Sequence, residues 1–512
     1  MKGYFYAQFL SNPVGEQNQP GRTLIARSKD GSDWGEIQVL FPPYRLKDNS
    51  FSIMHQRMGF YVSSSKRLLS LGFYGTSPTP TDCPTASPGL GRVVREVFED
   101  GSFGEIYFLR YNRHHGYDET NTSYPFYTQS KNVGFVEACN ELLKNRLVTM
   151  QWWEEDRSDD GFYSTSGLQA PCTYHRKDGT ATALWKWSQA ALSKDEGASW
   201  STPVKIDSLV TAGAKAWGQR AGKDQFALVY NPSSDNNHRW PLAVAWGDDG
   251  INFNNLSVVE SEVFPRRYRG AYKDFGSQYV RGIEEGHGEK PDDSLWIIYS
   301  MNKEDMWVCQ IPLPFCNQEN SQLNENFQDF PLGNFVQGWN IHSGKWAGVR
   351  LVEDEASGRR CLELWDQDPC SYAKAVRLFK KTAKLGLEFD FKRMQAEGAL
   401  ELCIEDQNGI PACKIQIEGK GEASREWTSY RLDLDANKKT YNLYRENKLE
   451  SSGTLLPETG TFLERLVLHT ECPVPRPSRS TQIDTLGDIF LSGFQKSLVA
   501  FRIADIRSSE LT

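Results

Sequence analysis

Met54-His55-Gln56-Arg57-Met58-Gly59 places a histidine and an arginine near the start of a predicted strand, and Gly72-Phe73-Tyr74-Gly75 answers it on the next. A histidine with a tyrosine nearby can act as base and acid in removing the proton beside a carboxylate, provided an arginine such as Arg57 neutralises that carboxylate. The plainer alternative is that His55 bonds a carbonyl inside a sheet. A second cluster runs from Arg110 to Glu119 and contains the pair His114-His115. Adjacent histidines can ligate metal, but no second ligand set at a defined spacing accompanies them. Arg110, His114 and His115 therefore read as a sugar-contacting loop or a solvated turn.

The richest region runs from Trp217 to Asp305 and carries Arg220, Asn231, Arg239, Arg269, Lys273, Tyr279 and Arg281 beside aromatic residues. Guanidinium groups fork onto carboxylates, amides bond hydroxyls and rings stack on the apolar face of a sugar. Against that, some of these arginines can pair with carboxylates of the fold, such as Asp274 and Asp305. Cleavage of a glycosidic bond by water ordinarily uses two carboxylates across the bond. Glu154, Glu155, Glu304 and Asp305 fall near predicted strand ends, and the sequence does not say which of them pair.

Composition narrows what these residues can serve. The chain has 512 residues and a formal net charge of −8, with 15 Trp, 21 Tyr, 27 Phe, 42 Gly and 24 Pro. Such a length implies two or more domains, and the aromatic, glycine and proline content suits short strands joined by tight turns. The negative charge offers no broad attraction for nucleic acid or an anionic membrane, so an acidic ligand must be met by local arginines. No apolar run approaches a membrane span and the start lacks a secretory signal, which leaves a cytoplasmic protein or the mature form of an exported one. None of the ten cysteines falls in a CxxC pair. Most are expected to be buried thiols, and neither a metal nor a cofactor is expected, with a structural calcium in the central channel left open. The partner class is a glycan, with no nucleic acid and no membrane insertion, and the oligomeric state is not legible.

The elements that must position these side chains repeat one theme up to about Pro314: a short aromatic and β-branched strand, an Asp-Gly turn, another strand. The fullest copy is Ser193-Lys194-Asp195-Glu196-Gly197-Ala198-Ser199-Trp200, with a shortened copy at Ser28 to Trp34 and degenerate ones around Asp100, Asp178 and Asp249. In such turns the aspartate accepts backbone N–H bonds, the glycine takes positive φ and the aromatic ring packs beneath. Helical spacing of Phe135, Val136, Cys139, Leu142 and Leu143 predicts a helix between Asn132 and Asn145, followed by a strand from Leu147 to Trp153. The polar stretch from Asn317 to Asn326 reads as a linker. Beyond it, alternating segments such as 386–391, 400–404 and 430–434, with a closing strand at 499–506, predict a second all-β domain.

The turn at Ser193–Trp200 matches the Asp-box pattern S-x-D-x-G-x-x-W, and with its relatives the region up to residue 316 resembles the sialidase superfamily of BNR-repeat β-propellers. The chain is also similar to exo-α-sialidase-like proteins and to propeller enzymes acting on rhamnose linked to glucuronate, both α-L-rhamnosidases and rhamnose-glucuronate lyases, and to ulvan lyases. The expected fold is therefore all-β: a propeller over residues 1–316, of six or seven blades at roughly 45 residues each, a linker at 317–326, and a jelly-roll β-sandwich over 327–512 that braces the propeller or binds glycan. The resemblance implies an exo-acting glycoside hydrolase that removes a terminal acidic or deoxy sugar. A polysaccharide lyase using His55 and Tyr74 is the alternative, and a non-catalytic glycan-binding propeller is the third.

Overall fold

The computed structural model describes residues 3–15, 18–54, 59–76, 89–152, 168–211, 213–236, 239–263, 266–268, 270, 273–283, 293–315, 321–368, 371–395, 398–417, 426–470 and 498–511. They divide into two compact units, the first ending at Phe315 and the second resuming at Ser321.

In the first unit the described residues form five antiparallel sheets. The inner strands of the second to fifth sheets include Gly59–Val62, Cys172–His175, Trp217–Ala221 and Ser277–Gly282. The next strands are nearly continuous apolar runs. Leu68–Gly75 and Leu242–Gly247 are buried along their whole length, because sheets cover both of their faces. Outermost strands such as Asn255–Glu260 expose alternate or successive residues instead.

Contacts run from each sheet to the next and return to the first. Ser70 donates to Gln8 Oε1 at 2.8 Å, and Gln8 Nε2 donates to the Leu71 carbonyl at 2.7 Å, joining sheets one and two. Gln151 accepts the Thr173 N–H at 2.8 Å at the entry to sheet three. The Tyr174 hydroxyl donates to the Gly250 carbonyl at 2.8 Å between sheets three and four. Asn231 Nδ2 donates to the Ser277 carbonyl at 2.8 Å between four and five. Phe5 packs on Trp296 with ring centroids 4.6 Å apart, closing five onto one. Five sheets thus form the propeller ring among the described residues. Residues 113–152 fold largely as helix and short turns and contribute no strand.

Helix α1 (Val133–Lys144) forms as predicted, with Asn132 as its N-cap accepting the Phe135 N–H. The strand expected from Leu147 is instead α2 (Arg146–Trp152), and Trp153 lies outside the described residues. Asn145 starts this helix by accepting the Val148 N–H at 3.1 Å, and Leu147, Met150, Gln151 and Trp152 are buried on it. Burial here overrides the β propensity of Val148, Thr149 and Trp152.

The aspartate-glycine turns adopt the expected form. Asp195 accepts the Ser193 hydroxyl at 2.9 Å, the Ser199 N–H at 2.8 Å and the Ser199 hydroxyl at 2.6 Å, while Gly197 has φ +78°. Asp30 and Asp249 accept N–H bonds from residues two and three further on in the same way.

The second unit is a sandwich of an eight-stranded and a five-stranded antiparallel sheet. The expected closing strand is Val499–Glu510, which lies inside the larger sheet between Arg360–Asp366 and Lys384–Arg393. One core unites both sheets through residues such as Leu387, Phe391, Leu402, Leu432, Leu468 and Phe501. The expected linker is shorter than its polarity suggests. Leu323 sits in that core, Asn324–Glu325 pairs with Val499–Glu510, and Glu325 meets Arg377 Nε at 2.8 Å. Residues 321–326 therefore belong to the sandwich.

Of the cysteines described, Cys139, Cys172, Cys361, Cys403 and Cys413 are buried free thiols and Cys309 is partly buried. No helix among the described residues is long and apolar enough to cross a membrane.

Candidate functional site

Strand register separates the two ends of the propeller. In the third sheet, Ala181 pairs with Ser193 at the end that carries the Asp178 and Asp195 turns, and Trp185 pairs with Gln189 at the other. In the fourth, Phe226 pairs with Gly247 beside the Asp249 turn, and Tyr230 pairs with Ala243 at the far end. The connections 186–188 and 231–241 lie opposite the aspartate-glycine turns, as does 302–304, the hairpin following Met301, which pairs with Ser277 at the entry of its inner strand.

At that opposite end, Tyr279 is drawn out of the regular pleat. Pairing within Ser277–Gly282 slips between Gln278 and Arg281, and Tyr279 holds φ +58°. A bulge of this kind re-aims a side chain, and a left-handed non-glycine residue is a strain that surrounding structure must hold. Three cations gather on its ring: Arg239 Cζ at 5.1 Å, Lys303 Nζ at 5.1 Å and Lys215 Nζ at 5.5 Å from the centroid. Asp274 bridges two of them, 3.2 Å from Arg239 Nη2 and 3.2 Å from Lys303 Nζ. These groups come from the entry to the fourth sheet, its long connection, the entry to the fifth and its hairpin.

Each is braced. Arg239 donates to Gln278 Oε1 at 3.1 Å and to the Asn236 carbonyl and side chain, both at 3.2 Å. Asn302 exchanges bonds with Gly276, accepting its N–H on Oδ1 at 2.8 Å, and so ties the Lys303 hairpin to the strand that carries Tyr279. Further along the strand, Arg281 Cζ lies 5.4 Å from the Trp152 ring and 5.6 Å from that of Trp217. Trp152 in turn rests flat where a Cβ on Gly59 would stand, so the second, fourth and fifth sheets meet around it. Directional guanidinium groups, amides, phenols and indoles are the side chains with which proteins bind anionic sugars.

Arg239 and Tyr279 are the sequence candidates brought together at this end, while Arg281, opposite Ile298 and further into the sheet, lies beside Trp152 and Trp217. His55, Arg57 and Arg269 lie outside the described residues, as do Glu154 and Glu155. Tyr74 is fully buried, packed on Phe41, Tyr44 and Tyr124, with its hydroxyl donating to the Pro42 carbonyl at 2.8 Å. Burial drives its pKa far above that of a free phenol. This corrects its reading as a proton-transfer group, because it is part of the aromatic core.

Asn231 is a clamp, its amide donating to the carbonyls of Arg239, Pro241 and Ser277. Arg220 is exposed beside the hairpin at the aspartate-turn end and donates to the Lys223 carbonyl at 3.3 Å, so it does not join Arg239. Lys273 and Glu304 form a buried ion pair. Glu304 also accepts the N–H groups of Arg267 and Tyr268, which anchors that loop, and Asp305 pairs with Arg267. Glu304 is thus a brace, with its side chain 2% exposed. Arg110 lies on the strand Tyr107–Tyr111, paired with Arg92. His114 and His115 are exposed on a short turn, edge to face at 4.7 Å. Among the described residues no group of three or more His, Cys, Asp or Glu is placed to hold a metal ion.

Lys215 and Asn236 were missed. Their one signal is position, since both lie in connections at the end opposite the recognisable turns.

Residues 1–168 match the family described as the BT_1020-like N-terminal beta propeller, and residues 339–449 match the sialidase-like CBM domain. Among solved structures, one named sialidase superposes over 99% of this chain and 49% of its own, with 35% sequence identity and a TM-score of 0.92. The architecture is sialidase-like. The sialidase-like chain spans about half the length of that protein, at 49%. Trypanosoma rangeli sialidase covers 100% of the chain at 11% identity and a TM-score of 0.36. No curated protein matches the sequence.

Proposed function

We propose that this chain is an exo-acting glycoside hydrolase that removes a terminal acidic sugar from a glycan. The observation that carries the reading is the convergence of Arg239, Lys303 and Lys215 on the ring of Tyr279 at one end of the propeller. A chain of net charge −8 gains an anionic ligand only through such a local cluster. The similarity to a protein named sialidase, at 35% identity, supports a terminal acidic sugar over a deoxy sugar. Arg239 and the lysines hold the carboxylate, the Trp152–Arg281–Trp217 stack walls the pocket, and the Tyr279 oxygen is the nucleophile, a role that tyrosine fills in sialidases. The elimination alternative needs two proton-transfer groups, and Tyr74, one of the two, is in the core.

A screen of small acidic glycans read by mass spectrometry tests this. Released sugar that has gained water is expected. Unsaturated uronate without added water would mark a lyase, and binding without turnover a glycan-binding propeller; either overturns the proposal.

A further inference from the structure

The third sheet turns between its second and third strands in three residues, Lys186–Ser188, and the central one, Trp187, is 49% exposed. Trp187 has φ +59° and the buried Ser188 φ +61°. Two successive non-glycine residues in the left-handed region are costly, and the turn is held there by bonds beneath it. The Ser188 hydroxyl donates to the Leu209 carbonyl at 2.5 Å, and its carbonyl accepts the Ile206 N–H at 2.8 Å. The strained backbone thus presents a large apolar ring to solvent, which neither turn formation nor core packing rewards.

The ring stands at the end of the propeller that holds the Tyr279 cluster, and a chain of contacts joins the two. A Cβ on Gly213 would lie 3.4 Å from Trp187 Nε1 and Cζ2 and 3.2 Å from Asn236 Oδ1. Asn236 is the residue on which Arg239 rests, and Arg239 lies over Tyr279. Lys186 Nζ stays 5.8 Å from the indole centroid. A glycan whose terminal acidic sugar is held at Arg239 continues outward with its next unit, and an exposed indole beside Asn236 offers that unit a flat apolar surface and an amide for its hydroxyls.

We infer that Trp187 is the platform of a second subsite, stacking on the neutral sugar that precedes the terminal acidic one and becomes the leaving group. This rests on the acidic-glycan reading above. The platform makes the protein a reader of two sugar units.

The test is binding, by surface plasmon resonance with short contacts, of glycans ending in N-acetylneuraminate, glucuronate or galacturonate. Each is presented both as the single sugar on a linker and as a disaccharide with a neutral hexose next to the linker. Wild-type protein is expected to hold at least one disaccharide about tenfold more tightly than the matching single sugar, a preference that Trp187→Ala removes and Trp187→Phe largely keeps. A thermal melt of each variant accompanies the measurement. Equal binding of both forms by the wild type, or a preference that survives in folded Trp187→Ala, overturns the subsite and leaves the acidic-glycan reading standing. Binding of none of these glycans overturns both.

Discussion

Arg239 lies over the ring of Tyr279, 5.1 Å from guanidinium carbon to centroid, although one sits in the fourth sheet's connection, the other on a strand of the fifth sheet, and 40 positions separate them. The guanidinium is buried among Asn236, Gln278 and Asp274, so its fork is set before any ligand arrives. Preorganisation of this kind lets a charged group act on a ligand without first paying to order itself.

Arg239→Ala is expected to lower affinity for an acidic glycan roughly tenfold to a hundredfold, the loss of one charge-assisted fork. Arg239→Lys should recover part, since charge remains and the fork does not. Arg220→Ala should behave as wild type, because Arg220 is exposed at the aspartate-turn end. Turnover and a melt for each variant decide it. Equal loss in Arg239→Ala and Arg220→Ala would mean that the two ends have been assigned wrongly.

Gly59 has no room for a side chain, since a Cβ would come within 2.3 Å of the Trp152 ring. Gly59→Ala should destabilise the propeller by about 1–3 kcal/mol through overpacking. Arg281, 5.4 Å from that indole, should lose its seat, and turnover should fall with the melting temperature. An unshifted melt would show that the indole moves freely.

Asp195→Ala should lower the melting temperature and leave turnover per folded molecule unchanged, because its turn lies at the end away from Tyr279. The hydroxyl and N–H of Ser199, with the Ser193 hydroxyl, hold the Asp195 carboxyl down at about 2. The folded value lies below the unfolded one, so its contribution is present above about pH 4 and fades as pH falls toward the folded value. Melts of wild type and variant should therefore converge in acid. A stable variant without turnover would place the site at the turn end.

Much of this architecture was legible because it is local. An Asp-Gly turn closes with bonds between residues two to four apart, and Asn132 caps a helix whose apolar residues recur on one face. The site was only partly legible because its geometry depends on register. Nothing in the type of Tyr279 announces the slipped pairing that turns it toward three cations, and Arg220 on an inner strand and Arg239 in the connection after Tyr230 come to opposite ends of the fourth sheet. The stretch Leu147 to Trp152 misleads because its β-branched and aromatic residues are equally good for the buried face of a short helix. The polar run ending at Asn326 misleads because one apolar residue in it, Leu323, is enough to seat it in a core.

The domain boundary yields a fragment test. A sandwich fragment beginning at Ser321 should melt well above one beginning at Phe327, which lacks Leu323 and the Glu325 partner of Arg377. Losing a buried leucine costs about 2–5 kcal/mol, and orphaning a buried charge about 3–5 kcal/mol. Equal melts for the two fragments would return 321–326 to the linker.

The sandwich also carries a pH-sensitive brace at Asp354. Its Oδ1 accepts from Lys392 Nζ and Arg502 Nη1, both at 2.7 Å, and Oδ2 accepts the Ser357 hydroxyl at 2.6 Å, while Arg502 Nε donates to Glu363 at 2.9 Å. Burial alone would raise the carboxyl, but the bonds from Lys392, Ser357 and Arg502 outweigh it and hold the group well below the ordinary aspartate range. The folded state then binds fewer protons at this position than the unfolded chain, whose aspartates titrate near about 3.9. The stabilisation is complete above that value and is lost as pH falls through the folded one. Asp354→Asn keeps the shape but leaves Lys392, 4% exposed, without its buried counter-charge. That should cost about 3–5 kcal/mol at neutral pH. Melts of the sandwich fragment beginning at Ser321 should show wild type and Asp354→Asn far apart at pH 7 and drawing together below pH 4. A gap that stays constant across that range would mean that the loss comes from packing, with the charge of Asp354 contributing nothing.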